Sequence, residues 1–397
     1  IDCRSGLYLS ADGAPMALSP LDDDGAYRWR RLDGATGALT PDGERWRNTI
    51  GWTDEADGLV ADLGTCDSKQ IFFGAPGAMD TYARAPLEVT DIKFEHDGLT
   101  FSGRLIWPAS TPRATLAVHV HGSERWSATR NAAVPYLLAA QGIASFVYDK
   151  RGTGQSEGRY TQDFHVLASD AIAALAAARS LAGDKIDRAG YIGGSQGGWI
   201  GPLAASKSDV DFVVALFGMA ESPLAEDCGQ VIRDVADAGF DPEAQQRAAA
   251  LSDAAGVVMA SDFKRGYGEF DRLRRLYRNE PWYRSVEGEF TGEMLPYPAF
   301  ALRILGPFFD IGTSWEYEPV AVLRSLEIPQ LWMIAGDDAE APPGETIRRL
   351  RALQAEGAPL DLAVYPGADH GMIRVEVVGA ERRELGHVEN YFGQLGA

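Results

Sequence analysis

Gly193-Gly194-Ser195-Gln196-Gly197 follows the apolar stretch Ala189-Gly190-Tyr191-Ile192 and precedes Gly198-Trp199-Ile200-Gly201-Pro202-Leu203-Ala204-Ala205. The first flank reads as a buried strand, the second as a helix packed against it. A serine in G-x-S-x-G between strand and helix is the pattern of a nucleophile held at a sharp elbow. Such a turn strains the serine backbone and lifts its hydroxyl clear of the sheet. A side chain at either flanking position would run into the neighbouring strand or helix. The helix that follows aims free N–H groups at whatever the hydroxyl attacks. A chain with 44 glycines also produces this pattern by chance, so its surroundings and its partners further along decide its meaning.

The 397 residues, 45% hydrophobic and 24% charged, suffice for a large core plus additions. A formal net charge of −20 argues against nucleic acid and anionic membrane surfaces as partners. No apolar run approaches the length of a membrane span. Three cysteines, Cys3, Cys66 and Cys228, show no C-x-x-C spacing, which argues against a structural zinc. Cys3 and Cys66 share the N-terminal segment and can pair, leaving Cys228 over and buried. The sequence starts at Ile1 rather than Met, as after a cleaved export signal or trimming, and the expectation is a periplasmic or secreted protein.

Residues 1–86 are rich in Gly, Asp, Trp and Thr. Short half-apolar runs alternate with Asp-Gly turns at Gly13, Gly25, Gly34 and Gly43, which predicts a small β domain of hairpins. Asp22-Asp23-Asp24-Gly25 lacks the alternate ligands and closing Glu of a calcium loop and reads as a polar turn. Leu87–Glu95 and Leu99–Trp107 alternate apolar and polar residues across His96-Asp97-Gly98, an antiparallel hairpin. Thereafter Ala114–Val120, Ile143–Tyr148 and Phe212–Phe217 are near-continuous apolar runs separated by helical stretches at Asn131–Gln141 and Gln162–Leu181. Buried parallel strands joined by helices have this pattern. Residues 221–314 are helical, amphipathic and aromatic-rich, an inserted cap. The alternation then resumes with a strand at Gln330–Ala335, a helix at Gly344–Glu356, a last strand at Leu360–Tyr365 and a closing helix over Glu381–Leu395.

A serine hydroxyl needs a base within hydrogen-bond reach, and the base needs an anion. Asp338, in Gly336-Asp337-Asp338-Ala339-Glu340-Ala341-Pro342 after a strand, is the expected acid, with Asp337 and Glu340 as competitors. His370, in Pro366-Gly367-Ala368-Asp369-His370-Gly371 after the last strand, is the expected base, completing the chain order Ser, Asp, His. His121-Gly122-Ser123 follows another strand, and the amides of Ser123 and Gln196 are the expected oxyanion donors. Gly122 lets the backbone approach substrate, and Trp126 joins the cap aromatics in an apolar pocket. His119 and His121 have no third ligand nearby, so packing explains them better than a metal. Gly152–Gly158 has the wrong spacing for a dinucleotide loop. Asp149, Lys150 and Arg151 read as structural, His165 as packing on its helix, and His387 as a surface residue of the closing helix.

These pieces, with Tyr148-Asp149-Lys150-Arg151-Gly152-Thr153-Gly154-Gln155-Ser156, resemble the α/β-hydrolase superfamily, in particular its carboxylesterase and serine-aminopeptidase-like branch. The resemblance covers about residues 87–397 apart from the cap. It implies a mostly parallel sheet flanked by helices, with an inserted helical cap and a small N-terminal β-rich domain. The divisions are residues 1–86, 87–220, 221–314 (cap) and 315–397. It implies a serine hydrolase acting on a small-molecule ester through Ser195, His370 and Asp338 by way of an acyl-enzyme, with no cofactor or metal. The same triad serves an aminopeptidase, amidase or thioesterase, and a binding protein that lost activity is the alternative from another class. Glu124-Arg125-Trp126 is bulkier than in many relatives. The N-terminal domain is open to three roles: binding a polymer, shaping the pocket mouth or forming a homodimer.

Overall fold

The computed structural model describes residues 2–21, 25–379 and 381–397, so the Asp22-Asp23-Asp24 run lies outside the described residues. In the N-terminal segment eight strands form an antiparallel meander: β1 (Gly6–Leu9), β2 (Pro15–Pro20), β3 (Tyr27–Arg31), β4 (Thr36–Asp42), β5 (Arg45–Ile50), β6 (Ala56–Asp62), β7 (Gln70–Ala75) and β8 (Ala78–Arg84). The turn glycines Gly13, Gly34 and Gly43 take φ of 86°, 88° and 61°, the left-handed region that short hairpin turns demand. Pairing of Tyr8 with Arg84 closes the meander into a barrel and removes its edges. Tyr8, Leu18, Trp29, Leu39, Ile71 and Phe73 fill it. The Cys3–Cys66 disulfide forms, and Cys228 is a half-buried free thiol.

The long hairpin β9 (Leu87–His96) and β10 (Leu99–Pro108) turns at Asp97-Gly98, with φ of 52° and 72°. It forms one edge of an eight-stranded sheet with β11 (Ala114–Val120), β12 (Ala144–Tyr148), β13 (Ile186–Gly194), β14 (Phe212–Leu216), β15 (Gln330–Ala335) and β16 (Leu360–Tyr365). The spatial order is β16-β15-β14-β13-β11-β12-β10-β9. The six strands from β11 onward run parallel. Their two buried faces explain the continuous apolar runs. The expected helix before β12 is two short ones, α1 (Ala128–Asn131) and α2 (Val134–Ala139), because Pro135 must sit in a first turn. On the opposite face lie α3 (Phe164–Ala182) and α4 (Gly197–Ala205). Contrary to the sequence reading, α3 with its extension to Lys185 is long and apolar enough to cross a membrane, at a mean hydropathy of 1.4. It is here a core helix, burying Phe164, Leu167, Ala171 and Leu175 against the sheet.

Between β14 and β15 the chain inserts α5 (Pro223–Asp237), α6 (Pro242–Met259), α7 (Tyr267–Tyr277), α8 (Thr291–Met294) and α9 (Ala299–Phe309). Ser222 and Asp241 cap α5 and α6 through their side chains. Buried Asp227 accepts from Ser252 Oγ, Thr291 Oγ1 and the amides of Phe290 and Thr291, which ties α5, α6 and α8 together. Helices α10 (Val320–Ser325) and α11 (Gly344–Ala355) flank β15 and β16.

The closing helix expected over Glu381–Leu395 is not formed. The chain instead makes β17 (Ala368–Asp369), β18 (Ile373–Val378) and β19 (Glu381–His387), an antiparallel three-stranded sheet, and only then the short α12 (Tyr391–Leu395). Ile373, Val375 and Val377 alternate with Arg374 and Glu376, a strand signal that a helical reading passes over. This hairpin lies on the barrel. Trp52 N donates to Glu384 O at 2.9 Å, and His387 N donates to Gly34 O at 2.8 Å. At Gly34 and Gly51 a side chain would strike the hairpin main chain.

Candidate active site

Ser195 sits between β13 and α4 with φ of 51°. The strained turn is held by its amide, which donates to Leu216 O at 3.0 Å, and by its carbonyl, which accepts from Gly198 N at 2.7 Å. A Cβ on Gly193 would strike the Gly197 carbonyl, and one on Gly197 the Val120 carbonyl. Both glycines are therefore conditions for the turn, as the sequence implied.

His370 follows β17, and its ring meets both partners. Nε2 lies 3.1 Å from Ser195 Oγ, and Nδ1 lies 2.9 Å from Asp338 Oδ2. A carboxylate only accepts, so Nδ1 carries a proton, and in the neutral ring Nε2 is then free to accept from the serine. Asp338 is 2% exposed. Its Oδ1 accepts the amides of Ala341 at 2.8 Å and Glu340 at 3.1 Å, which fixes the carboxylate plane. Asp337 turns away to accept from Gly367 N at 2.6 Å. Glu340 reaches only 3.6 Å from His370 Nε2. Of the three acids considered, Asp338 is the one at Nδ1. Phe217 packs edge-on against the ring at 5.1 Å. Burial pulls His370 toward the neutral form, but the Asp338 hydrogen bond and the charges of Asp338, Glu340 and Glu226 prevail and raise its pKa to about 9.

Ser123, Ser195 and Gln196 line one cavity of about 30 Å³. Behind it lies Lys150, which the sequence reading left as structural. Its Nζ donates to Gly122 O and, at 3.1 Å, to Gln196 Oε1. Asp149 accepts from Ser127 Oγ at 2.9 Å and from Gln155 N at 2.8 Å, pinning its loop, while Arg151 pairs with Asp170 at 2.7 Å. A charged triplet directly after an apolar strand was the available signal for Lys150.

Gly122 spends its carbonyl on Lys150. Trp126 stacks on His121 at 5.1 Å and lines neither the cavity at Ser195 nor the larger one beside it, which corrects the pocket role expected of it. The larger cavity, about 690 Å³, is walled by residues including Met259, Leu302 and Phe309 of the inserted helices and by Trp315 after them. Gln162, Glu289, Phe290 and Thr313 line both cavities. The inserted helices also bring Glu226, from the first turn of α5, to the smaller one. Burial holds the Glu226 carboxyl well above the usual range, and nearby Glu289 and Glu340 add to this. Sequence reasoning missed Glu226 and Glu289, since nothing local distinguishes them from surface acids.

His119 Nε2 lies 3.0 Å from Ser145 Oγ. His165 Nδ1 lies 3.4 Å from Lys207 Nζ. His387 is on β19 rather than a helix, and its ring is packed among Trp52, Tyr391 and Phe392 rather than at the surface. Among the described residues, no group of three or more His, Cys, Asp or Glu is placed to hold a metal ion.

A family model described as the alpha/beta hydrolase family matches residues 117–378. No curated protein matches the sequence. Several solved structures are similar. An esterase of Pyrococcus furiosus is 16% identical, with a TM-score of 0.44 over 72% of this chain and 82% of that one. An acylaminoacyl peptidase of Pyrococcus horikoshii is 14% identical, with a TM-score of 0.45 over 88% of this chain and 50% of that one. A proline iminopeptidase of Mycobacterium smegmatis is 18% identical, with a TM-score of 0.42 over 71% of this chain and 91% of that one. The loops bearing Ser195, Asp338 and His370 all fall inside the matched span, which takes in more than half of the sequence, and the chain belongs to the alpha/beta hydrolase family.

Proposed function

We propose that this hydrolase cleaves carboxylic esters through Ser195, His370 and Asp338. The unbroken hydrogen-bond line from Ser195 Oγ through His370 to Asp338 carries the reading. Ser195 Oγ attacks the ester carbonyl carbon as its proton passes to His370 Nε2. Asp338 holds the imidazolium. The amides of Ser123 and Gln196 take the charge on the carbonyl oxygen, and each such donor contributes roughly 3 kcal/mol. Collapse breaks the C–O bond, and His370 returns its proton to the leaving alcohol. Water activated by the same nitrogen then hydrolyses the acyl-enzyme. The apolar cavity under the cap suits the acyl or alcohol portion. Ser195→Ala, assayed on p-nitrophenyl butyrate, should lower kcat by roughly a million-fold. A fluorophosphonate should label wild type at Ser195. Retained turnover in the variant would remove Ser195 from the chemistry.

One observation favours a second reading, an aminopeptidase or amidase. Glu226, Glu289 and Glu340 all line the cavity at Ser195, and the side chains of Glu226 and Glu289 have no hydrogen-bond or ion-pair partner among the described residues. Burial holds both carboxyls above their usual range, and an ammonium group near the scissile bond would favour their charged forms. Matched amino-acyl ester and anilide substrates separate the readings, and faster anilide cleavage would favour the second.

A further inference from the structure

Lys150 is 1% exposed, and no carboxylate among the described residues pairs with it. Burial lowers its pKa to about 8, and the charge of Glu124 only partly offsets this. An ammonium taken out of water without a carboxylate in direct contact is expensive, and an apolar residue of similar volume would fill the space at less cost. Its protons go to two specific places and face a third. One is donated to Gly122 O and one to Gln196 Oε1, while the Tyr160 ring lies 5.7 Å from Nζ.

One acceptor belongs to Gln196, which lines the small cavity, and the other is the carbonyl of the peptide that leads into Ser123, which lines it too. The carbonyl of Gly122 and the amide of Ser123 are two ends of one trans peptide and point in opposite directions. Drawing the carbonyl onto Nζ turns the Ser123 N–H away from Lys150. The same bond pulls electron density toward the carbonyl oxygen and makes that N–H a stronger donor. Nζ also holds the side chain of Gln196, whose amide is the other donor in the proposed mechanism. Tyr160 completes the support, its hydroxyl donating to Ser123 O at 2.6 Å. One cation thus grips the main chain that leads into one proposed donor and the side chain of the residue that carries the other.

Building on the role given above to Ser195, we propose that Lys150 is the positioning residue of the oxyanion site, setting the Ser123 and Gln196 amides through Gly122 and the Gln196 side chain. The anion that forms on the substrate oxygen is held by the two amides that this ammonium sets. Its effect is therefore largest at the tetrahedral stage, and removing it raises the barrier more than it weakens substrate binding.

The experiment compares K150M, K150Q and K150R with wild type on p-nitrophenyl butyrate, using near-ultraviolet circular dichroism to establish that each is folded. K150M should lose about fiftyfold in kcat, somewhat less than direct removal of a donor, with KM within about threefold. A trifluoromethyl ketone, which forms the tetrahedral adduct reversibly, should lose affinity in step with kcat/KM. K150R keeps the charge and donors and should recover most of kcat. Should K150M not fold, K150Q and K150R carry the same comparison. A folded K150M or K150Q with wild-type kcat, a loss confined to KM, or ketone affinity that does not follow kcat/KM would overturn the positioning role. Ser195→Ala, assayed alongside, keeps the two failures apart. If it stays active the Ser195 mechanism falls, whereas wild-type kcat in folded K150M with an inactive Ser195→Ala removes only Lys150.

Discussion

His387 Nδ1 donates to the main-chain carbonyl of Gly371 at 3.2 Å, tying the residue beside His370 to a hairpin that lies on the barrel. The tie is reinforced by Val388 N, which donates to Met372 O at 3.0 Å. Gly371 and Met372 take φ of 72° and 60°, so this turn needs external support. The support comes from the barrel, since the His387 ring packs edge-on against Trp52 at 5.1 Å. An N-terminal element thereby braces the C-terminal loop that carries the proposed base. His387→Ala should lower kcat on a short ester about tenfold with little change in KM, because misplacement of the ring spoils attack geometry rather than binding. Trp52→Ala, within the barrel, should act in the same direction. Steady-state kinetics on the two variants check this, and wild-type kcat in both would free the His370 loop from the barrel.

The same histidine makes stability depend on acid. Burial, then the charge of Arg30, depresses the His387 pKa to about 3, and burial depresses that of His119 to about 4. Both sit below the unfolded value of about 6.5. Between these limits the unfolded chain binds protons that the native one refuses, so stability falls as pH drops from 6.5 toward 3. Urea midpoints measured across that range should decline for wild type and decline less steeply for His387→Asn. Equal slopes would mean that His387 does not titrate against folding.

The proposed base has the opposite shift. His370, raised to about 9, is mostly protonated at neutral pH and cannot accept from Ser195 in that form. The kcat/KM profile on an uncharged ester should therefore rise with pH, losing about tenfold per unit below the His370 pKa. Glu340 lies 3.6 Å from Nε2 and helps hold the proton there. Glu340→Gln should move the rising limb to lower pH. A limb at or below 6.5 in wild type would show that these anions do not govern the ring.

What the sequence made legible follows from where the signal lies. The Ser195, Asp338 and His370 loops each follow an apolar strand, so local pattern and chain order together were enough to bring them to one place. The barrel strands announced themselves as hairpins through their Asp-Gly turns, but closure rests on Tyr8 meeting Arg84, a pairing that no local window contains. The C-terminal hairpin was hidden because Glu381-Arg382-Arg383-Glu384-Leu385 has helical propensity, which docking on Gly34 and Gly51 overrides. Trp126 was assigned to the pocket as an aromatic of the loop after His121-Gly122-Ser123, although its ring stacks on His121. Lys150 and Glu226 gain their meaning only from groups brought near by folding.

The elbow glycines permit a test that separates geometry from composition. A Cβ on Gly197 would strike the carbonyl of Val120, main chain of β11 in the middle of the sheet, which cannot give way without disturbing both neighbouring strands. Gly229, inside α5, has nothing within 4 Å of its hypothetical Cβ. The same substitution should therefore act with opposite sign at the two sites. Gly229→Ala should stabilise by about 0.5–1 kcal/mol, since alanine loses less backbone entropy in a helix. Gly197→Ala should destabilise by about 1–3 kcal/mol through overpacking and slow fluorophosphonate labelling of Ser195, because the strained φ at 195 relaxes when α4 is pushed off the sheet. Thermal melts and labelling rates on both variants decide it, and a Gly197→Ala protein as stable and reactive as wild type would mean that the turn does not depend on contact between α4 and β11.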